Sequence, residues 1–201
     1  MKHNKFIFIA AGSFQGKSLV ALKLASIYNF SGVLTTDMIR NLYTINCFEN
    51  KIYSTSTYLM EKKDFEEQRK IVSETLLKMM NIYEARGEKM IFEGLHFSDT
   101  FIKTIKDTPY LKIFLNNLLT PAERYKYKKK TRSKFNVEFK SNKNQLEYEN
   151  TLYYKYEARI IEIHENLKNT CLKNGFIIIN YINLDEAINE CKKLVDKYLL
   201  C

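Results

Sequence analysis

Tryptophan is absent from this chain, proline occurs twice and glycine six times in 201 residues. There is no Pro/Gly/Ser-rich linker and no internal repeat, so the sequence offers no place at which to divide it into domains. A compact fold of this length buries roughly 70% of its unfolded surface, and one core is the expectation. The four cysteines, Cys47, Cys171, Cys191 and Cys201, stand far apart without a CxxC pair or a Cys/His cluster. That excludes the usual zinc patterns and a disulfide framework, and points to a reduced, cytoplasmic protein. Long apolar runs are missing too. The run Phe6 to Ala11 leads straight into Gly12, which is too short for a membrane span and lacks a signal-peptide cleavage pattern. No membrane association is expected.

What is present is an ordinary globular composition, 45% hydrophobic and 27% charged, with a formal net charge of +9. A surface of that sign attracts phosphate-rich partners, whether a nucleotide, an acidic metabolite or a nucleic acid. Short apolar runs alternate with longer amphipathic stretches, the pattern of repeated βα units around a parallel sheet. The expected strands are Phe6–Ala10, Gly32–Thr35, Lys89–Phe92, Leu111–Leu115 and Phe176–Ile179. Helices are expected at about Lys17 to Tyr28 with Leu19, Leu22 and Ile27 inward, from Asp37 onward, at Glu66 to Arg86, within Leu146 to Leu172, and at Leu184 to Leu199. Segment Asn46–Met60 has no clear period.

The strongest signal is Ala11-Gly12-Ser13-Phe14-Gln15-Gly16-Lys17-Ser18, which follows a buried strand and opens a helix. Backbone N–H groups in such a loop wrap a β-phosphate, and the positive helix end adds to the attraction. Lys17 is expected to bridge the β- and γ-phosphates of ATP and the Ser18 hydroxyl to ligate Mg²⁺. Gly12, Ser13, Phe14, Gln15, Gly16 and Leu19 complete the expected nucleotide-binding set. Gly16 lets the backbone approach phosphate. Ala11 stands where such loops usually carry their first glycine, and Phe14 fills a position that is often glycine in small kinases.

After the second strand comes Thr35-Thr36-Asp37-Met38-Ile39-Arg40. With Thr36 or Asp37 capping the helix, Asp37 and Arg40 share one face near the strand's C-terminal end, where ligands collect in this class of fold. There an aspartate can take the proton of an acceptor hydroxyl and an arginine can grip a carboxylate or phosphate; a helix cap with a surface ion pair is the plainer alternative. At the end of the third strand stands Phe92-Glu93-Gly94-Leu95-His96. A carboxylate beside a buried run needs a cation or donors waiting for it. Glu93 is expected to hold the metal's water shell or the acceptor, Gly94 to give the chain room beside the substrate, and His96 to hydrogen-bond near the acceptor or to act as base.

A phosphate loop ending Gly16-Lys17-Ser18, then Thr35-Thr36-Asp37-x-x-Arg40, then Glu93-Gly94-x-His96 resembles the 2-phosphoglycerate kinase family of P-loop kinases, and more broadly the zeta-toxin, polynucleotide kinase and gluconate kinase group. The likeness continues loosely through Tyr154, Arg159, Ile160 and His164 to Ile177–Asn180. The resemblance implies a kinase that phosphorylates a hydroxyl of a small acid, with Lys17, Ser18, Asp37, Arg40 and Glu93 at matching positions.

The basic segment Arg124 to Lys134 follows the fourth strand, where kinases of this kind carry a mobile lid. Arg124 and Arg132 are the candidate catalytic cations, since a planar fork suits phosphate better than a lysine. A solvated basic helix face is the plainer alternative, and lysines interleaved with Tyr125 and Tyr127 support a second-choice reading, a nucleic-acid backbone with stacked bases. Arg159 is expected in a salt bridge or at the phosphates, and Asn180 at the adenine pocket or in a turn.

The expectation is therefore one α/β domain over residues 1–201. It is a P-loop NTPase three-layer sandwich with a five-stranded parallel sheet, helices on both faces and a small helical lid near 120–145. ATP and Mg²⁺ are the expected cofactors, with Ser18 and Glu93 at the metal. A small-molecule phosphate acceptor is the expected partner, and the molecule is a monomer or a homodimer. A nucleoside or polynucleotide 5′-hydroxyl kinase and a non-catalytic ATP-binding module are the alternatives.

Overall fold

The computed structural model describes residues 6–47, 51–120, 123 and 155–200. Arg124, Arg132 and nearly all of the expected lid lie outside the described residues. The elements run β1 (Phe6–Ala10), α1 (Lys17–Tyr28), β2 (Gly32–Thr35), α2 (Thr36–Asn46), α3 (Lys51–Ser54), a 3₁₀ turn (Thr57–Leu59), α4 (Lys62–Ala85), β3 (Met90–Gly94), α5 (Asp99–Ile105), β4 (Leu111–Asn117), α6 (Glu157–Lys173), β5 (Ile177–Tyr181) and α7 (Leu184–Leu199). Segment 46–60, which has no period in the sequence, thus contributes one short helix and the turn.

The five strands form one sheet in the order β2-β3-β1-β4-β5, and every neighbouring pair is parallel. Parallel strands need crossovers, and the helices that provide them cover both faces, so the strands read as continuous apolar runs. β1 sits at the centre, where the connections diverge to the two halves of the sheet. The crevice above its C-terminal end is the place where ligands bind in such sheets.

Side chains alternate across the sheet and sort the core into two kinds. Phe6 and Phe8 face a cluster with Phe92, Phe97, Phe101 and Phe114, packed beneath α2, α4, α5 and α6. Ile7 and Ile9 face the other way, into a mainly aliphatic cluster with Val20, Leu24, Ile113 and Val195 beneath α1 and α7. The rings of Phe6 and Phe92 meet edge to face at 5.1 Å, and Phe97 and Phe101 stack at 5.2 Å, both favourable geometries. No helix among the described residues is long and apolar enough to cross a membrane.

Two local expectations are corrected. The inward face of α1 is Lys17, Val20, Ala21 and Leu24, whereas Leu19, Leu22 and Ile27 are exposed. This helix is apolar around most of its circumference, so period alone does not orient it. Its phase is set by Lys17, which must turn back to the loop it leaves. The cap of α2 is Thr35, whose hydroxyl oxygen accepts from the Met38 N–H at 3.0 Å; Thr36 and Asp37 lie inside the helix and are available for other work.

Candidate active site

The loop from Ala11 to Ser18 leaves the central strand and enters α1 through two left-handed residues, Phe14 (φ 61°) and Gly16 (φ 71°). Only glycine suits position 16, because a Cβ there would lie 2.5 Å from Leu184 Cδ2 in addition to the positive φ. Ala11 is not among the positive-φ residues, so the usual first glycine is dispensable here. Phe14 is 39% exposed. Four contacts hold the loop. Ala11 N–H donates to the Gly94 carbonyl at 3.3 Å, Gly12 N–H donates to His164 Nδ1 at 3.2 Å, and Gln15 Oε1 accepts from Asn117 N–H at 2.9 Å. The Tyr181 hydroxyl also donates to the Gln15 carbonyl.

Lys17 is buried, and its positive charge acts on Glu93 in the neighbouring strand. The Ser18 hydroxyl donates to Glu93 Oε1 at 2.8 Å. Glu93 is almost wholly buried, and burial pushes its pKa above the usual carboxylate value. Lys17 and the Ser18 hydrogen bond pull it back down, and the negative charge of Asp37 adds a smaller upward push. The second oxygen, Oε2, is buried without a hydrogen-bond partner among the described residues. An unsatisfied buried carboxylate oxygen is costly. A hard cation or its water shell satisfies it, and a Ser hydroxyl with a carboxylate is an oxygen donor set suited to Mg²⁺ alongside phosphate oxygens. The residues present therefore fit the metal.

In the first turn of α2, Asp37 keeps a half-exposed carboxylate, with Oδ1 3.7 Å from Arg40 Nε and 3.9 Å from His96 Nδ1. Arg40 donates to the Thr55 carbonyl at 3.5 Å and to Asn41 Oδ1 at 3.2 Å, which turns it toward the 51–59 segment. Gly94 is required by contact, since a Cβ there would run into the Thr36 side chain.

His96 is fully buried. Its Nδ1 accepts from the Thr36 hydroxyl at 3.0 Å and its Nε2–H donates to Gln68 Oε1 at 2.9 Å, with Thr57 Oγ1 at 3.3 Å. Gln68 in turn donates to the Ile52 carbonyl at 2.5 Å. Burial drives the imidazole pKa down to about 3; the nearby Asp37 carboxylate opposes this, and Arg40, Lys17 and Arg69 reinforce it. The ring is neutral and fully engaged, so it ties α2, α4 and the 3₁₀ turn together and does not serve as a base.

The remaining expectations divide. Leu19 lies in the first turn of α1 with its side chain about half exposed. Asn180 belongs to β5, not to a turn, and accepts from Asn116 Nδ2 at 2.6 Å. Arg159 pairs with Glu162 at 2.7 Å, the structural alternative. Sequence reasoning missed Gln68 and Asn116, gave Thr36 only a capping role and His164 only a place in the loose family likeness; all four are buried polar groups. The available signal for His164 was a polar residue on the inward stripe Ile160, Ile163, Leu167 of α6.

Comparison with known proteins places the fold. No family model matches the chain. Shikimate kinase from Acinetobacter baumannii, in complex with shikimate, superposes with a TM-score of 0.54 at 13% identity, covering 97% of this chain and 93% of that one. Shikimate kinase from Bacteroides thetaiotaomicron gives 0.52 at 14% identity, over 96% and 98% of the two chains. A putative kinase from Chloroflexus aurantiacus gives 0.53 at 9% identity, over 98% and 99%. An uncharacterized protein of Dictyostelium discoideum is 31% identical over a 180-residue alignment that covers 81% of this chain. The chain spans only 21% of that curated relative's length. The chain shares its fold with these shikimate kinases.

Proposed function

We propose that this protein is an ATP-dependent kinase that transfers the γ-phosphate to a hydroxyl of a small anionic metabolite, a hydroxy acid of the 2-phosphoglycerate kind. The observation that carries the assignment is the Ser18–Glu93 hydrogen bond beside buried Lys17, with the unsatisfied Oε2 of Glu93 next to it. These groups stand at the end of the central strand, and the half-exposed Asp37 stands on the same sheet edge after β2. The fold shared with shikimate kinases, one of them holding the hydroxylated carboxylate shikimate, supports an acceptor of this size and charge.

In the mechanism Lys17 and the loop backbone hold the β- and γ-phosphates. Ser18 and Glu93 would hold Mg²⁺, which would supply charge neutralisation on the phosphate oxygens. Arg40 orients the acceptor's anionic group. Asp37 accepts the proton as the acceptor oxygen bonds to the γ-phosphorus and the bond to the β-phosphate oxygen breaks, with ADP leaving and the proton passing later to solvent. Arg124 and Arg132, within the 120–145 segment, are assigned as lid cations. The free thiols of Cys47, Cys171 and Cys191 suit a reducing, cytoplasmic setting.

The test is a screen of hydroxy acids, nucleosides and oligonucleotides with γ-labelled ATP and Mg²⁺. Transfer to a small hydroxy acid is expected. Asp37→Asn should lower turnover about 10²- to 10⁴-fold, the usual contribution of a general base, without weakening nucleotide binding. Transfer confined to nucleic-acid 5′ ends, ATP binding with no acceptor, or full activity in Asp37→Asn would overturn it.

A further inference from the structure

We propose that His164 is a positioning residue of the phosphate loop, fixing the loop backbone through the Gly12 amide; this rests on the loop being the nucleotide site. His164 lies on α6, 152 positions from Gly12, yet its Nδ1 accepts the Gly12 N–H at 3.2 Å. Its Nε2 lies 3.0 Å from Asn116 Oδ1, and Asn116 Nδ2 donates to Asn180 Oδ1 at 2.6 Å. One protonation state satisfies the whole row. The Gly12 amide can only donate, so Nδ1 carries no proton, and the carbonyl oxygen of Asn116 can only accept, so Nε2 carries it.

The row spans the molecule's central crevice. Asn116 and Asn180 are register partners at the ends of β4 and β5, Gly12 follows β1, and the imidazole fills the space between. The ring is buried and packs on Phe114 at 5.1 Å between centroids. The fit is close enough to dictate the residue opposite: a Cβ on Gly12 would lie 2.8 Å from both Cβ and Nδ1 of His164. Glycine at position 12 thus answers to the histidine as well as to phosphate.

The consequence for binding follows from what a loop amide can do. Anion cradles work by having amides aimed before the anion arrives, so that little ordering is left to be done on binding. The Gly12 amide is committed to His164, and together with the Gln15 anchors it holds the intervening Ser13 and Phe14 in one arrangement. Remove the acceptor at Nδ1, and the Gly12 amide loses the contact that orients it and is left to water or to another acceptor.

The two nitrogens can be separated by substitution. Asparagine places its side-chain oxygen where Nδ1 stands, and glutamine places its amide nitrogen where Nε2 stands. Binding of a non-hydrolysable ATP analogue with Mg²⁺ is measured for wild type, His164→Ala, His164→Gln and His164→Asn, together with each protein's urea midpoint. Ala and Gln should weaken binding about five- to twentyfold, the worth of roughly one hydrogen bond, while Asn recovers most of the affinity despite losing the contact to Asn116. Equal affinity in all four proteins overturns the proposal. So does a loss shared by Ala, Gln and Asn that follows the urea midpoint, since that marks a purely structural histidine. Failure of the wild type to bind the analogue removes the nucleotide site itself, and the proposal with it.

Discussion

A buried neutral histidine is a stability device with a definite pH signature. His96, held neutral between Thr36 and Gln68, has its pKa lowered to about 3 by burial, while in the unfolded chain it titrates near the ordinary value of about 6.5. Between these values the unfolded state binds more protons, so its contribution to stability is complete above about pH 6.5 and is lost as pH falls toward 3, by up to ~1.4 kcal/mol per pH unit. Urea unfolding at pH 7 and pH 5 should show a steeper acid loss in the wild type than in His96→Gln, whatever the variant's starting stability. Equal slopes would mean that His96 takes up a proton while folded. The residue scale was partly legible beforehand. Lys17, Ser18, Asp37 and Glu93 are recognisable because short motifs carry them, whereas the network partners of His96 at Thr57 and Gln68 belong to no motif and meet only on folding.

Among the elements, α2 matters most to the proposed mechanism because it carries both Asp37 and Arg40. Its first turn is fixed by the Thr35 cap, and Thr35→Ala should cost about 1 kcal/mol, read as a lower urea midpoint that Thr35→Ser largely restores. The strands and α7 were legible to within a residue or two, since continuous apolar runs bounded by polar residues mark buried parallel strands and a polar–apolar period marks a surface helix. The facing of α1 was not. Leu19, Leu22 and Ile27 are as apolar as Val20 and Leu24, and only the geometry of the loop and the contact with α7 choose between them.

At the scale of the whole molecule, the proposed nucleotide binding is linked to folding. A ligand that binds only the folded state, present at 100 times its Kd, adds about 2.7 kcal/mol, which for a domain of this size corresponds to roughly 5–10 °C in Tm. Mg²⁺-ATP should raise the melting temperature of the wild type by that order, and Lys17→Ala should abolish the rise while the unliganded protein still melts cooperatively. An unchanged rise in Lys17→Ala would place the nucleotide elsewhere. The chain alone determines the βα alternation, the strand–loop–helix of residues 6–28 and the residue types at its mouth, because each depends on neighbours in sequence. The order β2-β3-β1-β4-β5 is decided only by tertiary packing. That order brings Glu93 to Ser18 across 75 positions and His164 to Gly12 across 152, and contacts over such separations follow from which strands lie side by side, a choice that no local pattern encodes.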